Sequence, residues 1–180
     1  MSAPIDLQTA VLAILSASLS TAVPVLEVKP KDLVSRLEMA AQDFGVAIHS
    51  LPPLPTHFLQ GNPFVFFDKA EIRVRVTEWP DMNTKFPDGY ELCDEVAMAL
   101  HWQPFNKLNA AVQELMTGGM EIDAANAAAR ANVGLAPWWA LSDLLAHPLQ
   151  LASRPIEMVE DKEKRIFDVI FEAQYQINPT

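Results

Sequence analysis

The chain has 180 residues, half of them hydrophobic and 20 % charged, and this composition suits one globular domain with a sizeable core. The formal net charge of −10 at pH 7 argues against a nucleic-acid surface, because phosphate binding needs clustered Lys and Arg. A single cysteine, Cys93, excludes an internal disulfide and a cysteine-based zinc site, and its place in a helical pattern predicts a buried, inert thiol.

The N-terminal part predicts two helices and two short extended runs. Residues 4–20 carry apolar side chains at helical spacing, and Asp6 stands where a signal peptide would have positive charge. A short extended stretch, 25–28, precedes Pro30, which can begin a second helix. Gly45 ends that helix and opens a β-like run to His49. The apolar stripe of the second helix consists of Leu33, Val34, Leu37, Ala40 and Ala41.

The middle of the chain contains the clearest pattern. Residues 69–78 (KAEIRVRVTE) alternate polar and apolar, which predicts a strand with one dry and one wet face; 64–67 either extend it or cover its end. The preceding prolines, at 52, 53, 55 and 63, predict a stiff, exposed loop. The strand stops at Trp79-Pro80, a polar turn follows, and 88–101 predict a helix that Asp88 can cap.

Residues 103–150 differ in composition and predict short helices at 107–116, 121–132 and 137–146. Their tryptophan pair, Trp138 and Trp139, is typical of a core anchor or a subunit contact rather than a ligand platform.

The chain closes with a predicted β-hairpin whose arms are 154–160 and 165–177. Ile166 and Ile170 make the outer face of the long last arm partly apolar, which indicates a covered or subunit-contacting surface. On the wet face of strand 69–78, two arginines are expected to pair with acids of this hairpin if the strands are neighbours. The arginines are Arg73 and Arg75, and the acids are Glu157, Asp168 and Glu172.

Together the elements predict an α+β fold and a single domain over residues 1–180. Its sheet has about four strands, mostly antiparallel, and is flanked by helices. Residues 103–150 form a helical insertion before the C-terminal hairpin.

No motif for catalysis is present, and no catalytic, cofactor-binding or metal-binding residue is predicted. The four histidines lack the spacing of a helical metal pair, and neither a phosphate-binding glycine loop nor a G-x-S-x-G elbow occurs. Asp94 and Glu95 diverge by about 100° on a helix and cannot share a proton. The mixed-charge run 160–165 indicates a solvated turn or, alternatively, a docking tip.

The order of these parts resembles a family. Residues 78–83 (EWPDMN) place an E-x-P and an Asn-bearing turn between the strand and the helix GYELCDEVAMALHW, and the chain ends in IEMV…RIFDVIFEAQYQI. With an N-terminal helix before the sheet, this order resembles the tail-terminator and tail-completion proteins of tailed bacteriophages over 25–101 and 151–177. Residues 103–150 do not match that pattern.

The resemblance implies a structural virion protein rather than an enzyme. Such proteins are made in the host cytoplasm and form a ring, typically a hexamer, that caps the tail tube and joins it to the neck or connector. It implies contacts with copies of itself, with the tail tube protein, with the neck or connector protein, and with the sheath protein if the tail is contractile. No cofactor, specific nucleic-acid binding or membrane contact is implied. Candidate subunit or partner contacts are Arg73, Arg75, Trp79, Trp102, Trp138 and Trp139.

Three other functions stay open from the sequence. One is a neck or head-completion protein of the same virion. Another is a non-viral adaptor or binding module. The third is a small cytoplasmic enzyme, for which Cys93, Asp94 and His101 form the only local cluster.

Overall fold

The computed structural model describes residues 3–19, 23–26, 30–62, 65–101, 103–153, 155–158 and 163–177. Its helices are α1 (Ala3–Ser18), α2 (Pro30–Phe44), α3 (Gly89–His101), α4 (Gln103–Thr117), α5 (Ile122–Ala131) and α6 (Ala136–Leu144). Its strands are β1 (Val25–Leu26), β2 (Val46–Ser50), β3 (Leu54–Asn62), β4 (Val65–Glu78), β5 (Gln150–Leu151), β6 (Ile156–Met158) and β7 (Arg165–Ile177).

The strands form one sheet around β4 and β7, which pair antiparallel without a break from Phe66–Ile177 to Glu78–Arg165. β2 and β3 follow one another along the other edge of β4, and β5 and β6 pair with β7. Only β1 pairs in parallel within the described residues, with β2. The predicted α+β class is confirmed, with β2, β3, β4 and β7 as the four longer strands.

One face of the sheet is apolar and supports most of the helices. α1 and α3 pack on this face, and the three helices of the insertion, α4 to α6, pack beyond them. Burying this face and the helices over it removes most of the large apolar side chains from water, which is the main driving force for folding. The fully buried side chains of the apolar face include Ile48, Ile72, Val74, Val76, Phe167, Val169 and Phe171.

The prediction of a proline-dense loop before the alternating strand is wrong for residues 54–62, which form β3. Proline is tolerated here because β3 is bonded on one side to β4, and the register shifts between Pro55 and His57. Pro63 lies outside the described residues. The alternating strand itself begins at Val65, earlier than the alternation at 69–78 shows.

Candidate functional site

Glu78 and Asn83 of the E-x-P-x-x-N residues form a junction at the end of β4. The Glu78 side chain is almost fully buried, and its carboxylate accepts hydrogen bonds from Asn83 Nδ2 at 2.9 Å and from the backbone N–H of Gly89 at 3.2 Å. Arg165 Nη1 lies 3.3 Å from the same carboxylate. One side chain therefore holds together the end of β4, the turn, the start of α3 and the start of β7.

Gly45 lets the end of α2 approach this junction closely. Its φ of +69° lies in the left-handed region that favours glycine, and its carbonyl oxygen accepts from the backbone N–H of Trp79 at 2.8 Å. A Cβ at this position would lie 2.6 Å from the backbone nitrogen of Asn83. The turn after β4 thus fits against a position where a side chain would collide with the backbone.

The start of α3 is fixed as the sequence predicts. Asp88 Oδ1 accepts from the backbone N–H of Glu91 at 2.9 Å, which is the expected cap. The Tyr90 ring meets the Phe167 ring edge-on at 4.8 Å, and its hydroxyl donates to Glu157 at 2.5 Å. That hydrogen bond raises the pKa of Tyr90 and lowers the pKa of Glu157.

A polar row crosses the second face of the sheet. His49 on β2 lies opposite Arg75 on β4, and Arg75 lies opposite Asp168 on β7. Arg75 donates from Nε and Nη2 to the two carboxylate oxygens of Asp168, at 2.8 and 3.0 Å. Arg73 Nη1 lies 3.5 Å from Asp168, and its Nη2 donates to Glu71 at 2.6 Å.

The predicted pairing of the two arginines with the closing hairpin is therefore confirmed for Asp168. The Asp168 side chain is 3 % exposed, and the pair joins two long strands on a face that the sequence identified as the wet one. The carboxylate of Glu157 instead accepts from Arg165 Nε at 3.1 Å. Both Arg73 and Arg75 thus form ion pairs within the chain.

α2 covers this second face only in part. Ala40 and Ala41 are buried, whereas Leu33 and Leu37 are half-buried and Val34 is 65 % exposed. The predicted apolar stripe exists, but the side chains of its N-terminal half are not fully buried against the sheet. A physical reason is that the sheet here presents polar side chains, which an apolar helix face gains little by covering.

A groove of about 440 Å³ separates α2 from the sheet. Its walls are mostly apolar, and a few polar side chains converge on its floor, which is the usual composition of a binding site. The α2 groove is lined by Leu33, Val34, Leu37, Glu38, Ala41, Gln42, His49, Leu51, Arg75, Thr77, Trp79, Met82, Lys164 and Ile166.

Two residues that line the α2 groove, His49 and Thr77, contain buried hydrogen-bonding atoms without partners in the described part of the chain. They are both ring nitrogens of His49 and Oγ1 of Thr77, in side chains whose residues are 2 % and 3 % exposed. Burial, and then the nearby Arg75 charge, lower the pKa of His49 to about 4, although Asp168 acts in the opposite direction. The imidazole is therefore neutral near pH 7 and offers one donor and one acceptor.

The predicted tryptophan contacts separate into different environments. Trp79 lines the α2 groove. Trp138 is 2 % exposed and belongs to the core, with Lys107 Nζ 3.8 Å from its ring centroid, so it is a core anchor. Trp139 is half-buried, donates from Nε1 to the carbonyl of Ala129 at 3.1 Å, and stacks with Arg130. Trp102 lies outside the described residues.

Cys93 and His101, which belong to the possible enzyme site, are held in contacts typical of a structural role. Cys93 is buried, and this burial, with a smaller effect from the Asp94 charge, raises its pKa to about 12, so the reactive thiolate is disfavoured. Nδ1 of His101 lies 2.6 Å from the carbonyl oxygen of Leu149. Among the described residues, no group of three or more His, Cys, Asp or Glu could hold a metal ion. None of the helices in the described ranges is long and apolar enough to cross a membrane.

A comparison with known protein families finds no family that matches this chain. A comparison with curated proteins finds no significant match. The place of His49 beside the Arg75–Asp168 pair and the α2 groove could not be predicted from the sequence, because they depend on which strands are neighbours and in which register. The sequence feature that pointed to this site is His49 itself, a polar residue at the end of a β-like run.

Proposed function

We propose that this chain is a structural protein of a tailed-phage virion, where it caps the tail tube as a homo-oligomeric ring and forms the joint to the neck or connector. The observation that carries the proposal is the junction at Glu78. The E-x-P-x-x-N residues, which carry the family resemblance, hold a strand end, a turn and a helix start in one network. The residues that carry the resemblance therefore have a structural role in this chain.

The environment of the other candidate groups supports a structural role. The two arginines of β4 are bonded within the sheet, and the Cys93 thiol is buried with a raised pKa. Within the described ranges, β3 pairs only with β4, so its outer edge offers backbone N–H and C=O groups to a strand of another subunit. Association of unlike surfaces, closed by rotation, produces a ring.

The proposed partners are copies of this chain, the tail tube protein, the neck or connector protein, and the sheath protein if the tail contracts. The net charge of −10 is compatible with DNA passing through a ring, since an acidic lumen would not retain the phosphate backbone.

The test combines the purified protein with assembled tail tubes. We expect rings by native mass spectrometry, and density for one ring at one end of each tube by electron microscopy. In a phage that lacks the protein, tails should have uncontrolled length or fail to join heads. A stable monomer that is absent from virions would refute the proposal, and a ring located in the head would instead identify a neck or head-completion protein.

A binding module is the second candidate, and the α2 groove favours it. A monomer that keeps the groove accessible and retains a ligand there would fit this function better than a ring. Native mass measurement separates the two candidates directly, because the ring requires a defined multiple of the 19.9 kDa chain.

A further inference from the structure

His49 is a buried histidine whose ring makes no hydrogen bond in the described part of the chain. The residue is 2 % exposed, and both ring nitrogens are without a partner there. It lies on the polar face of the sheet, where the register places Leu26 of β1 on one side of it and Arg75 of β4 on the other. A neutral imidazole tolerates this place, but an imidazolium would be a buried charge without a hydrogen-bonded partner, which is costly.

The charged groups around His49 do not compensate a positive charge there. Arg75 of β4 faces it as a cation, and Asp168 of β7 already accepts two hydrogen bonds from that arginine. From α2, Glu38 lines the same groove but is exposed to solvent, and Lys164, just before β7, adds a second cation. Burial and the Arg75 charge outweigh the opposite effect of Asp168 and lower the pKa of His49 to about 4.

The helix on this side of the sheet, α2, is held loosely. Its main contact is with β2, and Leu33, Leu37 and Ala41 line one groove with His49. In the described part of α2, only the small side chains of Ala40 and Ala41 are buried, whereas Leu33 and Leu37 are half-buried. Detaching α2 therefore brings little additional apolar area into water, which keeps the free energy of a local opening low.

The C-terminal end of α2 has a hinge at Gly45. The carbonyl oxygen of Gly45 accepts from the backbone N–H of Trp79 at 2.8 Å, and its φ of +69° turns the chain between the helix and β2. The pairing of β2 with β4 begins at the next residue, where Val46 lies opposite Glu78. α2 can therefore leave the sheet while the strand that carries His49 stays paired.

We propose that α2 is an acid-sensitive cover on the polar face of the sheet, which protonation of His49 releases while the sheet and the helices of the apolar face stay folded. Once α2 has left, water solvates the imidazolium. Acid favours the open form because that form binds the proton more tightly than the closed one. Release exposes the apolar stripe of α2 and the polar row of the sheet together, so the surface on this side of the chain changes with pH. The device does not depend on ring formation.

Native-state hydrogen exchange on the wild-type chain, corrected for the intrinsic effect of pH on exchange, tests this release. The pKa of His49 is about 4 in the closed form and returns to its ordinary 6.5 in the open form, so the released fraction should rise roughly thirtyfold between pH 7.5 and 5. The protection of α2 amides should fall by that factor. At each pH it should also be lower and less sensitive to urea than the protection of β4 and α3, because release exposes far less surface than global unfolding.

Two results of this experiment would overturn the proposal. One is a protection of α2 that does not respond to pH. The other is a protection of α2 that equals that of β4 in size and in urea dependence, since α2 would then open only when the whole chain unfolds.

Two variants assign the response to one histidine. His49→Gln keeps a polar side chain that does not titrate, so α2 should lose the pH response of its protection. His147→Gln is the matched control, because His147 is exposed and lies after α6, and it should respond as the wild type does. A response that persists in His49→Gln, or that disappears in His147→Gln, would contradict the assignment. The wild-type measurement stands by itself if His49→Gln does not fold.

Discussion

The ion pair between Asp168 and Arg75 gives the most direct test of how the sheet is held together. Asp168→Asn keeps the shape of the side chain but removes its charge and one of the two acceptors that Arg75 uses, at 2.8 and 3.0 Å. Breaking a buried pair costs about 3–5 kcal/mol. The Arg75 side chain is 23 % exposed and can regain some hydration, and Asn keeps one acceptor, so we expect a loss of about 2–3 kcal/mol.

Thermal and urea unfolding measure this loss. For a domain of this size, 1 kcal/mol corresponds to about 2–4 °C, so Tm should fall by about 4–12 °C with an unchanged urea m-value. Asp143→Asn is the matched control, because Asp143 likewise accepts two hydrogen bonds from one arginine, at 2.8 Å from Nη1 and Nη2 of Arg130, but both side chains are 52 % exposed. Its Tm should stay close to that of the wild type. Equal losses in the two variants would refute the reasoning that burial decides the strength of the pair.

Three further predictions follow from buried or strained positions. The pKa of His49 is lowered to about 4, so only the unfolded chain binds a proton at this side chain as pH falls from 6.5 towards 4. Urea titrations should therefore show that the free energy of unfolding falls by about 2 kcal/mol between pH 7.5 and 5. In His49→Gln this part of the pH dependence should be absent. Gly45→Ala should lower the free energy of unfolding by about 3 kcal/mol, because the added Cβ collides with Asn83 and the φ is left-handed. Gly119→Ala is the control, at φ +93° with open space around it, and should lower it by about 1 kcal/mol in the same assay. Cys93 should be unmodified by a thiol reagent at pH 8 in the folded chain and fully modified in urea, and rapid modification of the folded chain would contradict its burial.

Local patterns predicted most of the elements and missed two strands, β3 and the two-residue β5. The alternation at 69–78 and the apolar spacing along 88–101 indicated β4 and α3, and the cap at Asp88 is present. The strand β3 was missed because its prolines argue against a strand, although an edge strand bonded on one side tolerates them. β3 forms because it pairs with β4, and the local sequence of residues 54–62 does not indicate that β4 lies beside it.

The candidate site was less predictable than the fold. The sequence indicated that Arg73 and Arg75 would pair with acids of the hairpin, but choosing Asp168 required the register of β4 on β7. The apolar stripe of α2 was visible, yet its spacing cannot show that the N-terminal half of the helix leaves a groove. Both ring nitrogens of His49 have no partner among the described residues, and this likewise depends on every element around them.

The sequence by itself determined most of the helices and strands, which face of the long strands is dry, and that Glu78 and Asn83 belong to a strand–turn–helix unit. Periodicity carries that information because side-chain direction repeats every two residues in a strand and about every 3.6 in a helix. Tertiary structure alone decided that Glu78 bonds to Asn83, Gly89 and Arg165, that Asp168 is the partner of Arg75, and that α2 stands over a groove. The contacts of Glu78 with Arg165 and of Arg75 with Asp168 join residues far apart in the chain, so they depend on strand register, and the groove depends on the distance at which α2 packs.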